Sequence, residues 1–156
     1  MAMIRKASAV RKKLHMLIYG EQGSRTAMQL CYLKNADGKP FRVLYLDTEN
    51  GSIDNYTEEL EANGVNPDNL LIVYTQSLAE VQDYIKMVTN DEDIEDENGD
   101  VYLDADGKPF RADALVVDSA SILKMTATQG LTSFSQKRAK VKAAAQGLTG
   151  DERAVK

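Results

Sequence analysis

The sequence predicts an α/β fold: a three-layer sandwich with a mainly parallel sheet. Short apolar runs alternate with stretches of helical spacing, the pattern of successive βαβ units. Several of those runs end on a glycine or an acidic residue, as strands do when they deliver polar groups to one sheet edge. The 156 residues suffice for one core covered by helices on both faces.

Leu14-His15-Met16-Leu17-Ile18-Tyr19 is a short apolar run closed by Gly20 and is expected to be the first buried strand. A helix is expected from Arg25 to Lys34, with Ala27, Leu30 and Cys31 on one face. Asn35 to Pro40 is a turn, and Arg42 to Leu46 the second strand. Ile53, Tyr56 and Leu60 mark the inner face of a second helix, which Gly64 caps. Leu70 to Tyr74 is a third strand. Ser77-Leu78-Ala79-Glu80 has the form of a capping box, opening a helix whose buried face is Val81, Tyr84, Ile85 and Val88. Ala114 to Val117 is the last core strand and ends at Asp118. Beyond it, Thr126 to Gln136 reads as polar and irregular, and Lys137 to Gln146 as an alanine-rich helix.

Composition is that of a soluble globular chain, and no apolar run approaches the length of a membrane span. The start has no apolar stretch behind its charges, so no secretory signal is read there. Cys31 is the sole cysteine; it fits a reducing compartment and is expected to pack rather than react. Charge is segregated. Residues 1–13 and 125–156 are basic, whereas an acidic insertion spans about 91–112. A polyanion would therefore meet the ends of the chain and not its middle. Within the insertion, Ala105-Asp106-Gly107-Lys108-Pro109-Phe110-Arg111 repeats Ala36-Asp37-Gly38-Lys39-Pro40-Phe41-Arg42, two uses of one turn, with residues 100–112 forming a small hairpin. The spacing is wrong for a calcium loop, because Ile94 and Tyr102 stand where carboxylates are needed.

Three stretches carry chemistry. Gly20-Glu21-Gln22-Gly23-Ser24 lies between a predicted strand and a predicted helix, where backbone N–H groups can wrap phosphate oxygens. It begins the pattern G-x-x-x-x-G-K-[ST], but Arg25 and Thr26 follow where Gly-Lys-Ser is required. Inserting Gly-Lys-Ser after Ser24 would restore the pattern. Arg25 is the candidate to replace the lysine charge, and Thr26 the magnesium-binding hydroxyl. The second stretch, Asp47-Thr48-Glu49, ends a strand and offers a carboxylate for an attacking water. The third, Val116-Val117-Asp118-Ser119, delivers an aspartate of the kind that holds magnesium through water. Either aspartate, taken alone, also fits a helix cap.

In this order the stretches resemble the RecA-like P-loop ATPases of bacterial and phage recombination and replication. The resemblance covers roughly residues 14–124, the expected core domain, and includes Gly64-Val65-Asn66-Pro67-Asp68-Asn69-Leu70-Leu71 before the third strand. It implies ATP and Mg2+ as cofactors. Glu49 would be the catalytic carboxylate, Gly20, Glu21, Gln22, Gly23, Ser24, Arg25 and Thr26 the nucleotide-binding loop, and Asp118 with Thr26 the metal site. It further implies a partner such as single-stranded DNA, near Lys137, Arg138, Lys140 and Lys142, or other replication and recombination proteins including copies of itself. No membrane partner is expected, and the setting would be the cytoplasm, a bacterial host's for a phage-encoded chain. Two departures qualify the expected activity: the missing loop lysine, and a sheet expected to be incomplete at the C-terminus. A non-catalytic module of the same fold is the alternative reading, and a P-loop nucleotide kinase a weaker one.

Overall fold

A computed structural model describes residues 14–18, 23–51, 53–96 and 98–145. Among them, the helices are α1 (Gly23–Met28), α2 (Asp54–Ala62), α3 (Leu78–Asn90) and α4 (Ala120–Ala145), and the strands are β1 (Val43–Asp47), β2 (Leu70–Tyr74) and β3 (Ala114–Asp118). Short 3-10 turns at Gln29–Tyr32 and Pro67–Asn69 follow α1 and precede β2. The three strands form one parallel sheet in the order β2-β1-β3.

β1 is apolar at every position but its last because it is buried on both faces and bonded along both edges. Val43 and Tyr45 face Ala27, Met28, Cys31, Ile53 and Leu60, which α1 and α2 supply with their flanking turns. Leu44 and Leu46 face Val81 of α3, Leu123 of α4, and Ile94 and Phe110 of the acidic insertion. Helices therefore cover both faces, and the expected α/β layering is present around a small sheet. Cys31 packs as expected. Burial pushes its thiol up to about 11, from an ordinary value of 9.0.

Helix boundaries follow local chemistry. Gly64, at φ +85°, takes the left-handed position that ends α2, and Val65 N–H closes onto Leu60 C=O at 3.0 Å. The capping box at α3 is half made. Ser77 Oγ accepts from Glu80 N–H at 3.3 Å, but the Glu80 carboxylate instead accepts from the Thr75 hydroxyl at 2.5 Å. The buried stripe of α3 is Val81 with Tyr84, Met87 and Val88. Ile85, expected inside, is 42% exposed, because the packed stripe runs through Val81, Tyr84, Met87 and Val88 and leaves Ile85 beyond its edge.

Two larger expectations are corrected. Residues 14–18 form no strand, and Leu14 and Leu17 are 82% and 69% exposed. Their apolar character marks them for burial, but a strand also needs a partner edge, and they pair with neither outer strand; Tyr19 lies outside the described residues. Thr126 to Gln136 is not irregular but part of the continuous α4. Leu123 anchors that helix in the core, while the Thr128 and Thr132 hydroxyls donate to Lys124 and Thr128 carbonyls at 2.8 and 3.0 Å. Polar side chains that satisfy themselves one turn back do not break a helix.

The Asn35 turn and the insertion share one device, used more often than the sequence shows. Asn35, Asp96 and Asp104 each accept, through Oδ1, the N–H groups two and four residues ahead, at 2.8–3.1 Å. Each turn then passes through a glycine at positive φ: Gly38, Gly99 and Gly107. Residues eight apart close it, with Phe41, Tyr102 and Phe110 N–H donating to the carbonyls of Leu33, Ile94 and Tyr102. Arg42 clamps the turns to the sheet. It donates to Asp113 through Nε at 3.0 Å and lies 3.8 Å from Asp104.

Removing side-chain volume should expose this layering. Leu46→Ala should cost about 2–5 kcal/mol in urea unfolding, whereas Ile85→Ala should cost less than about 1 kcal/mol. Cys31 predicts the pH response. Its thiol stays neutral in the fold up to about 11 but ionises near 9.0 when unfolded, so its contribution is complete below pH 9 and lost as pH rises toward 11. Native protein at pH 8 should resist iodoacetamide, and unfolded protein should react at once.

Candidate functional site at the C-terminal sheet edge

The in-register pairing of Asp47 with Asp118 places both at the C-terminal edge of adjacent strands, with Glu49 two residues beyond on the same edge. That edge is where open parallel sheets bind ligands. α1 begins there too. The Ser24 hydroxyl donates to Asp118 Oδ2, and the buried Tyr45 hydroxyl donates to the same oxygen at 2.5 Å. Two hydroxyls thus fix one carboxylate oxygen in a partly buried setting, where charge-assisted bonds are strongest.

The other aspartate works differently. Asp47 is fully buried and spends both oxygens on backbone: Oδ1 accepts from Glu49 and Asn50 N–H at 2.9 and 3.0 Å, and Oδ2 from Gly51 N–H at 2.9 Å. It shapes the turn that carries Glu49 and caps no helix, since the residue before α2 is Ile53. Thr48, also fully buried, bridges the strand ends. Its hydroxyl donates to Ser119 C=O at 2.9 Å and accepts from Ser119 N–H at 2.8 Å, while Gln76 Nε2 reaches Thr48 C=O at 3.0 Å. Glu49 is left exposed at the tip of this braced turn.

Of the loop residues, Gly20, Glu21 and Gln22 lie outside the described residues; Gly23 and Ser24 open α1. Arg25 does not face Asp118. Its guanidinium pairs with Glu59 of α2 at 3.1 Å, both side chains half exposed. Thr26 sits about 200° further round the helix than Ser24 and is exposed. Ser24, not Thr26, is the hydroxyl on Asp118. The sequence held a signal for this: Ser-Gly-Lys inserted before Ser24 restores the same string as Gly-Lys-Ser inserted after it, so Ser24 equally occupies the last loop position. Tyr45 was missed because an aromatic in a buried strand reads as core, which it also is.

Lys137, Arg138, Lys140 and Lys142 are all in α4; at 100° per residue Lys137, Arg138 and Lys142 share an arc of about 140°, and Lys140 lies outside it. Among the described residues no cluster of three or more His, Cys, Asp or Glu side chains is arranged to hold a metal, and no helix is long and apolar enough to cross a membrane. No protein-family model, curated protein or solved structure matches this chain.

Tyr45→Phe keeps the ring in the core and removes one donor from Asp118. Loss of a hydrogen bond to a charged group should lower stability by about 1.5–3 kcal/mol, read by chemical denaturation. A change below about 0.5 kcal/mol would mean that the Tyr45–Asp118 bond contributes nothing in solution.

Proposed function

We propose that this chain is a RecA-like nucleotide-binding module of DNA recombination or replication, descended from an ATPase and hydrolysing ATP little or not at all. The supporting observation is the Ser24–Asp118 contact beside Glu49: a helix-start hydroxyl on a strand-end carboxylate, at the edge where a parallel sheet binds phosphates. An aspartate and a serine hydroxyl are hard oxygen donors of the kind Mg2+ takes together with nucleotide phosphates. In this reading Asp118 and Ser24 would hold the ion, and Glu49 is the carboxylate that, in a chain with an intact loop, would orient a water. The ion would supply charge neutralisation at the nucleotide phosphates.

The non-catalytic form of this reading is favoured by Arg25. Its charge is committed to Glu59, so it does not replace the loop lysine that neutralises charge developing in phosphoryl transfer. Single-stranded DNA is the proposed partner of the parent system, and Lys137, Arg138 and Lys142 on one side of α4 are the cations it would meet.

The test is a pair of proteins. The chain as it stands should show no steady ATP turnover, because losing such a clamp costs on the order of a hundredfold or more in rate. Gly-Lys-Ser inserted after Ser24 should bring Mg2+-dependent binding of a fluorescent ATP analogue, and Asp118→Asn in that background should remove the Mg2+ dependence. Turnover by the original chain that vanishes on Glu49→Gln would overturn the non-catalytic reading. No nucleotide binding by the restored, folded protein would overturn the family reading.

A further inference from the structure

α4 carries a seam that none of the described residues covers. Ala127, Leu131, Phe134, Arg138 and Val141 recur at four- and three-residue steps, the spacing of a helix face built to pack against a partner. Leu131, Phe134 and Val141 are 69%, 58% and 70% exposed, and Arg138 lies over the Phe134 ring at 5.6 Å. Lys137 and Lys142 flank the seam, and α4 contains no acidic residue. With Gly130 and several Thr and Ser residues, the exposed part of α4 has weak intrinsic helix propensity, so packing is the expected source of its stability.

The complementary surface lies on the acidic insertion. Ile94 and Phe110 point into the core, but the strip between them, Val101-Tyr102-Leu103, is 37%, 44% and 55% exposed. Glu95, Asp96 and Asp100 border it. One surface is apolar and rimmed by cations, the other apolar and rimmed by carboxylates.

We infer that the α4 seam of one molecule docks on the Val101–Leu103 strip of a second copy of this chain. The two patches differ, so the contact is heterologous, and repetition builds an open chain or a ring. Charge selects this pairing over seam against seam, which would bring together helices carrying only cations. The inference does not depend on nucleotide binding.

Sedimentation velocity of the full chain at low salt should show association that grows with concentration and weakens at high salt. Leu131→Ser/Phe134→Ser and Tyr102→Ser/Leu103→Ser alter exposed positions, and circular dichroism should show both variants folded. Each alone should be monomeric, while their equimolar mixture should form a 1:1 dimer, because each retains one good surface. Lys137→Glu/Lys142→Glu, which leaves the apolar seam intact, should weaken association by about tenfold. A wild-type monomer at every concentration would overturn the inference, as would continued assembly of the Tyr102/Leu103 variant, the sign of seam-to-seam pairing. Single-stranded DNA binding by a wild-type monomer, lost in the Leu131/Phe134 variant, would assign the seam to nucleic acid and also overturn it.

Discussion

β1 has no free side. Its residues Val43 to Leu46 are fully buried, and its backbone is shared between β2 and β3. Register is consequently not adjustable: slipping either neighbour by one residue would turn its inward side chains to the opposite layer. Asp47 therefore stands level with both Tyr74 and Asp118. Every group at the candidate site inherits its position from that pairing, directly for Asp118, and through the Asp47 turn for Glu49. The Thr48–Ser119 pair of hydrogen bonds extends the same alignment one residue past the strands.

Much of this could be read from residue order. Strands 43–47, 70–74 and 114–118 are apolar runs bounded by turn residues, and helices ending at Gly64 or opening at Ser77 carry their punctuation openly. The failures have physical causes. An apolar run such as 14–18 states a need for burial, not the presence of an edge to pair with. The polar stretch of α4 hid its helicity because threonine hydroxyls can bond within their own helix, which composition alone does not reveal. The turn at Asp96 escaped notice because Asp96-Glu97-Asn98-Gly99 shares with the turns at Asn35 and Asp104 only the Asx and glycine positions that its geometry requires. At the site, the strand-end carboxylates were legible from position. Their partners Ser24 and Tyr45 were not, since both contacts join residues more than seventy apart in sequence.

The two aspartates at the sheet edge show how one residue type divides its work by environment. Asp47 is fully buried, and both its oxygens accept backbone N–H groups of the turn that follows it. Asp118 is held by hydroxyls, which both donate and accept and can therefore reorient when a cation arrives. A carboxylate so held is fixed in place yet exchangeable in its bonding. That combination is what a site needs if it is to bind an ion and later release it.

The three glycine turns bear on the order in which the molecule assembles. Each closes on itself over eight residues, using side-chain acceptors that lie within the loop, and loops of that length close in well under a microsecond. The clamp from Arg42 to Asp113 spans 71 residues and cannot form until the intervening chain has been gathered. The two turns of the insertion thus shorten the effective path between β1 and β3. A segment that contributes no strand to the sheet is decoration in the finished fold, yet its local turns draw residues 94 and 110 together over short loops, which carry less closure entropy than the 71-residue Arg42–Asp113 clamp.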